Sequence, residues 1–250
     1  MRQKAGSIRS WLAPAGAALA CAAAATALAG PVGSRVGVWN YNFATVLMEW
    51  AAWAGGLAVL LCAAGLVASR RQGRRGGVLA VAGLLVAAPV VGLPAYWYYL
   101  KASTPPIQDI TTDVRRPPEF WFTPNARVYG GPAVAALQRE AYPDIGPLFT
   151  PLPPAETFDR ALALVRDRGW TIGVASREEG RIEATETTFW FGFSDDISIR
   201  IQPAPGGSRV DVRSTSRFGG GGDGGTNARR VRAFLRDLRQ RTGGEIRPPA

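Results

Sequence analysis

The stretch RIEATETTFWFGFSDDISIRI (residues 181–201) decides how the C-terminal part of this chain folds. Its last third alternates. Ile197, Ile199 and Ile201 are separated by Ser198 and Arg200, which on a pleated strand sends the three isoleucines to one face. IEATETT reads as a second strand, so the stretch is a hairpin. Asp195–Asp196 fits its turn, because Asp side chains accept hydrogen bonds from nearby backbone N–H groups. Strand parity carried through the aromatic run sends Phe189, Phe191 and Phe193 to one face and Trp190 to the other. That leaves a strand end apolar on both sides, to be buried under irregular chain or to serve as a ligand groove or partner surface.

The period of two continues outward. WTIGVAS (170–176) precedes the hairpin through a REEGR turn, and an APGG turn leads to SRVDVRSTSR (208–217). In the last strand Val210 and Val212 oppose Arg209, Asp211, Arg213, Thr215 and Arg217. Such alternation implies one buried and one wet face, hence an antiparallel sheet. On either side the period becomes helical. Phe158, Ala161, Leu162 and Val165 form a stripe in PAETFDRALALVRDRG, with Pro154 in the first turn, Gly169 as the stop and a Glu156–Arg160 surface pair. Val231, Phe234, Leu235 and Leu238 form another in TNARRVRAFLRDLRQRTGG, with Thr226 or Asn227 as N-cap, Gly243 as the stop and Asp237 spaced to pair with Arg241. The expected domain is α+β, with a four-strand antiparallel meander carrying two helices on one face. A short helix is also expected near 132–140.

The first hundred residues differ. Segments 11–30, 46–69 and 77–100 each approach or exceed the roughly 20 apolar residues that cross a bilayer. The organisation expected is therefore a membrane region at 1–100 with these three helices, an extended Pro-rich connector at 101–118, an α+β extracytoplasmic domain at 119–242 and a frayed tail at 243–250. The first segment has a second reading, as a cleavable signal peptide ending at Ala27–Ala29. Positive charge brackets the hydrophobic segments. Arg2, Lys4 and Arg9 precede the first, and Arg70, Arg71, Arg74 and Arg75 separate the second from the third. The positive-inside rule puts both groups in the cytoplasm and the C-terminal domain on the other side. Trp39, Tyr41, Trp97, Tyr98 and Tyr99 then belong to the outer aromatic belt. Glu49, near the start of the second segment, reads as a hydrated interfacial carboxylate or as an intramembrane functional group. The expected location is the bacterial inner (cell) membrane, multi-pass, with a cytoplasmic N-terminus and a periplasmic or extracellular domain.

Composition excludes several chemistries. The net charge is +10, but residues 101–250 contribute only +3 of it, which is not the footprint of a nucleic-acid binder. The chain has no histidine, and its two cysteines, Cys21 and Cys62, lie in hydrophobic segments. Ser-His-Asp and Cys-His catalysis and imidazole or thiolate metal sites in the domain are thereby ruled out. No cofactor or metal site is read from the sequence.

Further motifs follow one another along the chain: PPIQDITTD, QREAYPDIGPL, GWTI, IEATETTFWFGFSDDISIRI, SRVDVRSTSR and DGGTNARRVRAFLRDL. In this order they resemble the bacterial domain-of-unknown-function family 1499, over about residues 104–240. The resemblance implies a domain preceded by several membrane helices and supplies no activity. Gln108 stands where the family pattern leads one to expect His, and the loop at 219–225 is glycine-expanded.

The candidate site residues each have two readings. Asp195, Asp196 and Asp223 could act as acid, base or cation ligand, or the first two could shape a turn. Arg200, Arg213 and Arg217 could bind phosphate or carboxylate, or form a solvated face paired with Glu183 and Asp211. Phe189, Trp190, Phe191, Phe193 and Asn227 complete the ligand or partner surface. Arg229, Arg230, Arg232, Arg236 and Arg239 form a basic helix face that solvent or anionic headgroups could meet. The leading reading is a non-catalytic binding or structural role in the cell envelope. The partners expected are the bilayer and an envelope lipid or protein. The alternatives are a carboxylate-dependent envelope hydrolase and an accessory of a membrane transport or stability complex. A periplasm-active phosphatase fused after Ala250 is expected to be active, and a cytoplasm-only fluorescent reporter dark; the reverse pattern overturns the topology.

Overall fold

The computed structural model describes residues 5–69, 74–122, 128–217 and 221–247. Arg2, Lys4, Arg70 and Arg71 of the topology argument, and Gly219 and Gly220 of the glycine tract, lie outside the described residues. The chain divides into two compact units, Met1–Tyr99 and Leu100–Ala250.

The first unit consists of α1 (Ala5–Arg35), α2 (Tyr41–Ser69) and most of α3 (Arg74–Ser103). All three are long and apolar enough to cross a membrane. Their packing is the inverse of a water-soluble bundle. Small residues meet in layers, Ala13–Cys62–Ala80, Ala20–Ala58–Ala87 and Ala23–Ala51–Val90, while Trp50, Trp53, Leu60 and Leu85 face outward. Small residues let helix backbones approach in lipid, where apolar side chains gain nothing by turning inward. A Cβ on Gly16 would sit 2.6 Å from Cys62 Sγ. Glu49 is exposed on the outer surface of α2, not directed into the bundle.

The second unit is α+β. Its seven strands are β1 (Asp109–Thr111), β2 (Leu148–Thr150), β3 (Thr171–Ser176), β4 (Arg181–Thr187), β5 (Ser194–Ala204), β6 (Gly207–Ser216) and β7 (Glu245–Ile246). They form one antiparallel sheet in the order β3-β4-β5-β6-β2-β7, with β1 also on β6. The expected meander is thus β3–β6. β1 comes from the expected connector, and β7 from the expected frayed tail, which pairs with β2 through Leu148–Ile246. The sheet continues past the meander because β6 has a second edge to satisfy. Edge strand β3 carries a register shift between Ile172 and Val174, and Phe122 lies over Gly173, where a Cβ would approach its ring to 2.7 Å.

Helices α5 (Pro154–Asp167) and α6 (Thr226–Thr242) cover one face, and α4 (Gly131–Ala141) lies where a short helix is expected. The core joins Phe158, Leu164 and Val165 of α5 and Val231, Phe234, Leu235 and Leu238 of α6 to Ile182, Ile197, Ile199, Ile201, Val210 and Val212. Each such side chain, fully buried, contributes about 1.5–3 kcal/mol. Leu164 takes the fully buried place, and Leu162 only packs at the side. Glu156 pairs with Arg160 as the spacing predicts. Asp237 instead joins Arg168 at 2.6 Å, and Arg241 joins Asp167 at 2.8 Å. Partners on α5 and its C-terminal end compete successfully with the exposed i,i+4 pair, which is worth little.

The other sheet face is the main departure from the sequence reading. It is charged, as expected, but it is not wet. Residues 113–122, which follow β1, lie over it as a strap, and Glu183, Arg213 and Asp211 are 1%, 2% and 0% exposed. The strap's backbone is bonded by the sheet's charges. Glu183 accepts the N–H groups of Trp121 (2.7 Å) and Phe122 (3.0 Å). Arg213 donates to the Pro118 carbonyl (3.2 Å), and Arg181 and Ser198 donate to that of Glu119. Alternation implies solvent because it registers polarity and carries no information about distant chain.

Glu183→Ala removes the acceptor for two strap N–H groups and leaves Arg181 under-compensated. The expected cost is about 3 kcal/mol, read as a lower thermal midpoint of the purified chain. Trypsin cleavage after exposed Arg115 should accelerate with it; an unchanged midpoint and unchanged cleavage would show that the strap is held by other contacts.

Candidate functional site

On the helix-covered face the apolar rows end in polar residues. Asp195 continues Ile197–Ile199–Ile201, Ser214 and Ser216 continue Val210–Val212, and Glu186 continues Ile182–Ala184. The first turns of α6 lie over this polar end. Arg230 is the hub. Its guanidinium donates to Asp195 Oδ2 (2.5 Å), to Glu186 Oε2, to Ser214 Oγ (3.0 Å) and to Asn227 Oδ1. Asn227 accepts from Ser214 Oγ (2.6 Å) and donates to Ser216 Oγ and the Gln108 carbonyl, both at 2.9 Å. Asp195, Ser214, Asn227 and Arg230 are all buried. Burial pushes the Asp195 carboxyl above the ordinary carboxylate range, against the opposing pull of Arg230.

Asp223 has a different task. Its carboxylate accepts Gly225 N–H (2.9 Å) and Asn227 N–H (2.6 Å), so it caps α6. The expected caps, Thr226 and Asn227, are displaced into the helix. Gly224 and Gly225 have φ of 61° and 76°, a left-handed pair that L side chains avoid. Beside this loop the hydroxyl of buried Tyr142 has no hydrogen-bond partner. Its ionisation is pushed up by burial and by Asp223.

The remaining expected residues lie elsewhere. Asp196 and Arg217 form a bidentate pair on the strap-covered face, both distances 2.8 Å, joined by Thr185. Arg213 holds Asp109 through two bonds at 2.9 and 2.7 Å, with the Phe120 ring against its guanidinium. Arg200 and Arg209 each bind both Asp113 and Asp211. None of the three expected arginines belongs to a solvated face.

The acidic pair and the aromatics exchange places relative to the sequence reading. Asp195 and Asp196 are interior to β5, paired with Glu186 and Thr185 of β4. The turn is 188–193, where Gly192 (φ 69°) reverses the chain and Thr188 and Phe193 close it. Strand parity therefore does not run through the aromatics. Phe189 and Trp190 are 80% and 53% exposed rather than buried, and Phe191 stacks on Phe193 at 5.3 Å. Asp195 and Asp196 remain in the sheet because Arg230 and Arg217 neutralise them.

The structure thus brings together Asp195, Asn227 and Asp223 from the expected set, and adds Arg230, Glu186, Ser214 and Ser216. Sequence pattern assigns Arg230 to an outward basic face, whereas it is buried. The signal that finds it is the helical period: Asn227, Arg230, Phe234 and Leu238 fall at i, i+3, i+7 and i+11 of the buried stripe. Among the described residues no group of three His, Cys, Asp or Glu side chains is placed to hold a metal ion. As an assembly the site is a hydrogen-bonded polar network in which one guanidinium serves two carboxylates, one of them of raised proton affinity.

A model of the family described as protein of unknown function (DUF1499) matches residues 109–238. This is more than half of the chain, and the chain belongs to that family. No curated protein matches it.

Arg230→Leu leaves Asp195 buried without its cation, at an expected cost of about 3–5 kcal/mol at neutral pH. The pH dependence has a definite sign. A carboxyl with raised folded-state pKa stabilises most below its unfolded pKa and loses that contribution as pH rises through the folded value. Removing Arg230 raises the folded value further, so the deficit against wild type should shrink from pH 7 to pH 4. Thermal midpoints of both chains across that range check this, and a deficit independent of pH would assign the loss to packing alone.

Proposed function

We propose that this DUF1499 member is a multi-pass protein of the bacterial inner (cell) membrane. In this reading its N-terminus is cytoplasmic and its α+β domain, periplasmic or extracellular, has a binding or structural role in the cell envelope without catalysis. An envelope lipid or an envelope protein is the partner class. Three apolar helices with small residues inside and large apolar residues outside support the membrane placement.

One observation carries the non-catalytic reading. Asp195, Asp196 and Asp223, the acids that sequence analysis singled out, are each engaged by an Arg or by backbone N–H groups. General acid–base work needs a carboxyl within reach of substrate, whereas these carboxyls hold elements together. The alternative, a carboxylate-dependent hydrolase, draws on Asp195, because buried carboxyls of raised pKa recur at active sites.

Asp195→Asn separates the readings in a deletion strain complemented with the full chain. A structural pair should lose about 1–3 kcal/mol with its charge, lowering the thermal midpoint, with complementation declining only as folded protein declines. Full folding with abolished complementation would overturn the structural assignment of this carboxylate.

A further inference from the structure

The aromatic turn at 188–193 stands at the end of the domain where the chain arrives from α3, and strand register establishes this. β1 is antiparallel to β6, with Asp109 opposite Thr215 and Thr111 opposite Arg213. Residues before Asp109 therefore run in the direction of Ser216 and Arg217. Ser216 lies opposite Asp195, and Ser194 opposite Thr187, so the 188–193 turn projects the same way. Contacts within the domain agree. The Ser216 N–H donates to the Gln108 carbonyl (3.3 Å) and the Arg217 N–H to that of Ser194 (3.0 Å). A Cβ on Gly222 would meet the Pro105 carbonyl at 3.0 Å, and one on Gly225 would meet Thr104 Cγ2 at 3.4 Å.

The turn presents Phe189 and Trp190 to the surroundings, ring against ring at 5.5 Å. Exposed Tyr96–Tyr99 lie in the last part of an apolar span. Thr104 follows Tyr99 by five residues, so chain reach alone keeps it within about 18 Å of that residue. Exposed Arg229 lies in the first turn of α6, beside the Gly224 carbonyl to which it donates, and so belongs to the same end.

We infer that Phe189 and Trp190 insert into the headgroup–acyl boundary of the bilayer that holds α1–α3. The domain thereby has a second lipid contact besides its tether. Paired aromatic rings on a projecting turn suit that boundary, where amphipathic and aromatic side chains concentrate. Arg229 adds attraction to anionic headgroups. The tether makes the contact intramolecular, so insertion too weak to recruit a free protein is sufficient here. This inference rests on the reading of α1–α3 as membrane spans.

The test uses the full chain in nanodiscs of phosphatidylethanolamine and phosphatidylglycerol, with an environment-sensitive nitrobenzoxadiazole probe on single thiols. Cys62 is fully buried. Exposed Cys21 of α1 serves as the probe for bilayer incorporation, and Cys21→Ala removes it. In that background Phe189→Cys reports the tip, and Glu178→Cys reports the turn between β3 and β4 at the far end of the sheet. The expected result is blue-shifted emission and quenching by shallow spin-labelled lipid at position 189, several-fold stronger than at 178. Tip emission equal to that at 178, with Cys21 quenched, overturns the insertion and leaves the membrane reading intact. Absent quenching at Cys21 by lipid spin-labelled deep in the acyl chain, which matches its place near the middle of α1, overturns the membrane reading itself. A blue shift at 189 without lipid quenching also overturns the insertion, and assigns the tip to a protein contact.

Discussion

The buried guanidinium of Arg213 fixes the arrangement of the soluble unit. It binds Asp109 with both arms and the Pro118 carbonyl with a third bond, and lies against Phe120. One side chain of β6 thereby holds β1 and the strap. The cost of burying such a charge is met only when its hydrogen-bonding capacity is filled. Arg181 and Glu183 also bind the strap, one through a single bond to a strap carbonyl that leaves its Nε unpartnered, the other by accepting two strap N–H groups. An irregular, Pro-rich segment has backbone groups that no ladder satisfies. A sheet face of alternating charge supplies the missing partners. The unit accordingly has three layers: helices on an apolar face, the sheet, and a strap on a charged face.

Much of this is legible in the sequence. Periods of 3.6 and 2 locate α5, α6 and the β3–β6 meander, because both depend on residues near one another in the chain. The closure of the second face is not legible. Arg213 and Asp109 are more than a hundred residues apart, and local pattern assigns a charged row to solvent. The same limit misplaced Asp195 and Asp196. Local propensity favours a turn for two aspartates, and only Arg230 and Arg217 stabilise them within a strand. Arg230 lay within reach of pattern, since Asn227 and Arg230 share the stripe of Phe234 and Leu238. Charge drew it to the surface where period would have buried it.

The candidate site follows the same logic on the opposite face. The core does not simply end at the N-terminus of α6 but grades into Asp195, Ser214, Ser216, Asn227 and Arg230. Each donor in that cluster finds an acceptor on another element, so the network specifies how α6 is set on the sheet. Gln138 plays a comparable part on the other side of β1. Its amide exchanges hydrogen bonds with the N–H and carbonyl of Thr111, standing in for the strand that β1 lacks there.

The edge strand β3 has a consequence for crowding. A domain confined to a membrane surface meets its own copies in two dimensions, at far higher local density than in free solution. An open, regular strand would then template sheet-to-sheet addition between neighbours. The register shift between Ile172 and Val174 interrupts the row of outward N–H and carbonyl groups, as bulges at sheet edges do. The Phe122 ring over Gly173 adds a steric obstacle beside it. This edge is thus a poor template, and neighbouring domains are hindered from adding to one another through β3.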